Sequence, residues 1–277
     1  MRATIINALF RSRLETPWNS TFRQMVGQSL LAAAINFGVG ALVLGSAWLF
    51  FIELSWHPAW NYSQVMLRYN DESIGVLLGV IAAVALAAGF AAEIAFLRHI
   101  FGKQELTIRT AVALNLDSLQ GSWWSAIWRA ILATAAIILI EVPMKLVLPS
   151  ATGPAEEFLL TLPPLGFFVV GLVAIFAAPI VEEVMFRGFF LLSCRCSFRT
   201  GRFTRWLKSE LAVDAAAIIV SAVFFAALHG SLSAFPYLLV TAVILGVLFR
   251  QSGTLIAPII AHMLNNALGV VLLWLSR

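Results

Sequence analysis

Glu182 and Glu183, followed by Arg187 inside the apolar run Pro164–Leu192, are the residues of this chain best placed to do chemistry. A carboxylate in hydrocarbon is costly, so an intramembrane acid is a functional-site candidate by default. Glu183 and Arg187 stand at i,i+4 on one helix face, the spacing of an ion pair. Glu182 is rotated by about 100° from its neighbour, since an α-helix turns once per 3.6 residues. It is left free to face something else. The spacing predicts one structural carboxylate and one reactive one.

Two later apolar runs carry polar groups of matching kinds. One ends at His229, with Phe225 four residues earlier to wall the ring; the last places His262 and Asn266 at i,i+4, stacked on one face. Counting at about 1.5 Å per helical residue puts Glu182 and His229 each roughly 25 Å from the basic segment between their helices. His262 and Asn266 fall roughly 14 and 20 Å from the turn at Ser252-Gly253. The four groups therefore converge between the membrane midplane and the outer interface. A glutamate there can take a proton from water, and imidazole and amide N–H groups can meet a developing oxyanion.

The elements that position them are membrane helices. Of 277 residues, 61% are hydrophobic and only 12% charged, more apolar surface than a soluble domain of this size hides. The fold expected is all-α, a polytopic integral membrane bundle of seven to eight transmembrane helices. Seven runs are long enough: Leu30–Leu54, Ile74–Leu97, Ala126–Leu148, Pro164–Leu192, Ala212–His229, the short Pro236–Phe249, and Leu255–Leu275. An eighth helix can lie between Phe101 and Trp124, an amphipathic stretch whose tryptophans (Trp123, Trp124 and Trp128) suit an interface. Residues 1–28 read as a basic surface arm rather than a cleaved signal peptide. Residues 29–150 read as N-terminal membrane helices and 151–277 as the catalytic core.

Charge placement orients the bundle. Arginines and lysines crowd the N-terminal arm, the segment around Arg98–Arg109 and that from Arg195 to Lys208. Glu53, Asp71, Glu72, Glu156 and Glu157 mark the other side. The positive-inside rule then places the N-terminus in the cytoplasm of a cell (inner) membrane and the site towards the extracytoplasmic side. The net charge of +4 follows from this topology, so nucleic-acid binding needs no invoking. Cys194 and Cys196 have no second thiol pair with which to complete a structural zinc site.

Glu-Glu-x-x-x-Arg at 182–187, Phe-x-x-x-His at 225–229 and His-x-x-x-Asn at 262–266 resemble the CPBP intramembrane proteases. These include the type II CAAX prenyl endopeptidases and bacterial bacteriocin-processing and self-immunity proteins. The resemblance covers about Pro164 to Leu275; the N-terminal half matches only as generic membrane helices. It implies an intramembrane endopeptidase in which Glu182 is the base and His229 its partner in activating water. His262 and Asn266 would bind the oxyanion, while Glu183 and Arg187 brace the helix. The residues leave both metal-independent water activation and a divalent metal such as zinc open. His229, His262 and Glu182 would be the ligands, although Asn266 is a poor zinc ligand and no H-E-x-x-H helix is present.

Blander readings stand beside these. Glu183–Arg187 is also helix glue, and His262 with Asn266 also a polar clamp between helices. Glu141 and Lys145 read as a structural i,i+4 pair, and Glu93 as reaching water or Arg98. The extracytoplasmic opening sets the chain apart from prenyl-processing members, making a membrane-anchored or exported peptide the expected substrate. The alternatives are a non-enzymatic immunity or scaffold protein and a proton-relay transporter, the latter disfavoured by the lack of repeated halves.

Overall fold

The computed structural model describes residues 72–102, 123–147, 154–200 and 209–277, with residue 207 and a few isolated positions between 27 and 42. Among the described residues there are seven helices and no strand. They are α1 (Glu72–Gly102), α2 (Trp123–Val147), α3 (Pro154–Thr161), α4, α5 (Glu210–Leu228), α6 (Phe235–Ser252) and α7 (Ile256–Leu275). Helix α4 is continuous but composite. Its α segments Pro164–Leu172, Ala178–Glu183 and Leu192–Thr200 are separated by π segments Val173–Ala177 and Val184–Leu191. Six helices, all but α3, are long and apolar enough to cross a membrane. Each matches one of the expected runs. The first expected run, the basic arm and most of the segment from Phe101 to Trp124 lie outside the described residues.

Helices are what these sequences can form in lipid, where each backbone N–H and C=O needs a partner within its own segment. Local signals set their ends. Ser209 caps α5 by accepting the Ala212 N–H at 3.1 Å. Pro164 and Pro236 stand in the first turns of α4 and α6, and Gly253 closes α6 at φ 67°. Large apolar side chains such as Leu139, Phe176, Ile219 and Leu272 remain exposed, as a lipid-facing surface requires.

Aromatic packing joins α4 to α5. Phe186 meets Phe225 edge-on at 4.9 Å and Phe190 meets Phe224 at 4.5 Å. Helix α1 lies so close to α4 that a Cβ on Gly79 would come within 2.5 Å of the Gly166 Cα. Small residues permit that approach.

At one end the bundle is bound by charge. Asp214 near the start of α5 accepts from Arg195 of α4, and from Arg250 of α6 at 2.6 Å. Glu210 takes Arg195 at 3.1 Å and Arg199 at 3.2 Å. Arg195 and Arg199 were expected in an interhelical segment; both instead belong to the last segment of α4, and Arg195 is buried because two acids enclose it. Two other expectations are corrected. Glu93 does not reach open water, one of its two expected outlets, but is only 2% exposed on a helix that packs against α4. Lys145 bonds Glu156 of α3 at 3.4 Å and lies over the Tyr237 ring, while Glu141 is taken by Thr241.

Candidate active site

Glu182 and Glu183 end the short α segment held between the two π stretches of α4. π segments are rare and recur at functional sites, where the wider turn loosens the backbone ladder. Each here meets a side-chain donor from another helix. The Asn266 amide donates to the Ala174 carbonyl at 2.9 Å, and the Ser221 hydroxyl to the Phe186 carbonyl at 3.0 Å. The polar side chains of α5 and α7 thus seat the irregular backbone that presents the two acids.

Glu183 is fully buried and its Oε1 is the hub of the site. It accepts from Arg187 at 2.7 Å and from the His262 Nδ1–H at 2.9 Å. The other arm of Arg187 donates to the Ala242 carbonyl of α6 at 3.1 Å, and its guanidinium lies 4.9 Å from the Phe225 ring centre. Arg187 is itself 1% exposed, so this is an ion pair closed off from water on all sides. The spacing predicted the Glu183–Arg187 pair. It did not predict that the same carboxylate would hold a histidine 79 residues away, because nothing local marks that contact.

With Nδ1–H given to Glu183, the His262 ring presents Nε2, which stands 3.7 Å from Glu182 Oε2. That is too long for a direct hydrogen bond. Glu182 is 24% exposed, the more open of the two acids, and among the described residues its carboxylate meets His262 at ion-pair distance without a direct hydrogen bond. His229 caps α5, and its Nδ1–H donates to the Phe225 carbonyl at 2.8 Å, leaving Nε2 as an acceptor in the neutral ring. Gly230 at φ 67° turns the chain away immediately afterwards. His229 makes no direct hydrogen bond to Glu182 or His262; it meets His262 through Phe225, whose ring centre lies 4.5 Å from His229 and 6.1 Å from His262.

The structure therefore brings Glu182, Glu183, Arg187 and His262 into one connected cluster, with His229 at its aromatic wall and Asn266 beside it on the α4 backbone. Among the described residues, no three His, Cys, Asp or Glu side chains are placed to hold a metal ion. The set His229, His262 and Glu182 does not converge as placed. Sequence reasoning missed the Ala242 and Ala174 carbonyls altogether, since a backbone acceptor leaves no mark in the residue pattern.

All of these side chains lie within one stretch that has a counterpart elsewhere. Residues 164–268 match the Rce1-like family, described as type II CAAX prenyl endopeptidase Rce1-like. The Rce1-like stretch runs from the start of α4 past Asn266 in α7. No curated protein and no solved structure matches the chain.

Proposed function

We propose that this protein is an intramembrane peptidase that hydrolyses a peptide bond in or near the bilayer, with Glu182 as the group that activates water. One observation carries the reading. Glu182 faces Nε2 of a histidine whose other nitrogen is fixed by a fully buried carboxylate, yet is itself unspent on any direct bond.

The steps follow from the atoms left available. A water between Glu182 and the substrate gives a proton to the Glu182 carboxylate as its oxygen attacks the peptide carbonyl carbon. His229 Nε2 accepts the second water hydrogen and orients the lone pair. The carbonyl oxygen, now an oxyanion, receives an N–H from the His262 ring and the second Nδ2–H of Asn266. The C–N bond breaks as Glu182 returns its proton to the leaving nitrogen. Glu183 and Arg187 hold His262 and α4 and take no proton. Purified protein in proteoliposomes, incubated with a detergent-free extract of membrane proteins, is expected to generate new peptide termini. An extract left unchanged at full protein insertion would count against hydrolysis.

The substrate class that fits is a membrane-anchored or exported peptide entering from the extracytoplasmic side, with the N-terminus of the chain in the cytoplasm. Basic residues gathered at the Arg195–Asp214–Arg250 end, opposite the α5–α6 turn, support this orientation. In a background lacking Cys194 and Cys196, a Ser231→Cys variant in intact cells is expected to react with an impermeant thiol reagent. Labelling only after the membrane is opened would reverse the orientation.

A further inference from the structure

Outside the Rce1-like stretch, α2 packs against both α6 and α7. Arg129 donates to the Gln251 carbonyl at the far end of α6 at 2.9 Å, and two further polar side chains of α2 reach positions beside the site. The Thr134 hydroxyl reaches the Ala261 carbonyl at 3.3 Å, one residue before His262. Seven residues on, two turns further along the same face, Glu141 accepts the Thr241 hydroxyl, one residue before Ala242. These two contacts thus land beside groups the site depends on.

From Thr241 the connection continues without a gap. The neighbouring Ala242 carbonyl holds Arg187 at 3.1 Å, Arg187 holds Glu183 at 2.7 Å, and Glu183 holds His262 at 2.9 Å. Four helices, α2, α6, α4 and α7, are strung on this line. Lys145, the cation nearest in sequence, is engaged with Glu156 and Tyr237, so the carboxylate of Glu141 is left to Thr241.

We infer that Glu141 is a positioning residue for the hydrolytic site: by gripping Thr241 it sets the depth and rotation of α6 at Ala242, and through Arg187 and Glu183 the orientation of the His262 ring. The inference rests on the proteolytic reading for its purpose but not for its geometry. A helix carbonyl cannot be replaced by mutation, so the register of α6 is the handle by which the chain controls where Arg187 points. A displacement of about 1 Å at a reacting group can cost 10²-fold in rate, so a link this far from the chemistry can matter.

The chain has four histidines, which makes His262 directly observable by NMR of the full-length, histidine-labelled protein in lipid nanodiscs. Thr241→Val removes the hydroxyl at nearly constant shape. It is expected to shift the His262 ring resonances, leave those of His99 in place, and lower turnover by about 10- to 100-fold at unchanged KM. Glu141→Leu is expected to do the same, and the double variant no more than either alone, as members of one chain should. Thr241→Ser and Glu141→Gln, which keep a hydroxyl and an acceptor oxygen, are expected to restore the wild-type signals. A His262 spectrum indifferent to both Thr241→Val and Glu141→Leu overturns the link. The failure of the proteolytic reading would show separately, as a wild-type protein that cleaves nothing while its His262 signals still respond to Thr241→Val.

Discussion

Glu183→Leu is expected to destabilise the folded protein by about 3–5 kcal/mol, the usual cost of stripping one partner from a buried ion pair. The reason is what it leaves behind. Arg187 is 1% exposed and would keep the Ala242 carbonyl and the Phe225 ring face, so its charge would stand in a dry interior without its bonded counter-ion. The double variant Glu183→Leu/Arg187→Leu is expected to recover most of that stability, because a buried pair can be replaced by apolar groups at little net cost. The second oxygen of Glu183 is buried without a hydrogen-bond partner, which lowers the native pair's net worth further. Stability should return in the double variant, but cleavage should not, because the His262 Nδ1–H would still lack its acceptor. Unfolding in mild detergent with increasing denaturant measures the first quantity. A double variant as unstable as the single one would show that the stranded charge is not what destabilises it.

This pair shows what the residue pattern can and cannot convey. The i,i+4 spacing of Glu183 and Arg187 was legible because the interaction lies within one turn, and the ion pair is present at 2.7 Å. The six described spans were legible for a similar reason, hydrophobic length being a property of the segment alone. The Glu183–His262 contact depends on how α4 and α7 lie together, and no local feature encodes it. The π segments around Ala178–Glu183 arise because Asn266 and Ser221 wait on neighbouring helices to take the carbonyls of Ala174 and Phe186. Glu93 was misread because depth alone was counted: it lies near the end of its run but on the face that packs inward. Lys145 was misread because α3 folds back to offer Glu156, a partner nearer to hand than Glu141.

Glu182 is expected to behave in the opposite way from its neighbour. Among the described residues it has no direct hydrogen-bond partner, and it is 24% exposed, so Glu182→Gln should cost far less stability than Glu183→Leu. Its effect belongs to the rate. Loss of a positioned general base typically costs about 10²- to 10⁴-fold, and the amide cannot take the proton from water. On the proposed reading the two adjacent glutamates divide the labour: the buried one carries stability and geometry, and the open one carries chemistry. A Glu182→Gln protein that is both unstable and inactive would not distinguish them, so the unfolding midpoint is measured on the same preparation, and a large loss of stability contradicts the division.

The most direct measurement is a comparison of peptide termini in membranes from cells expressing the wild type or Glu182→Gln at equal insertion. Termini present only with the wild type are expected, and their sequences would identify the substrate and the cleaved bond. Identical termini in the two membranes would contradict hydrolysis by Glu182 and leave a non-enzymatic membrane partner as the better description of this protein.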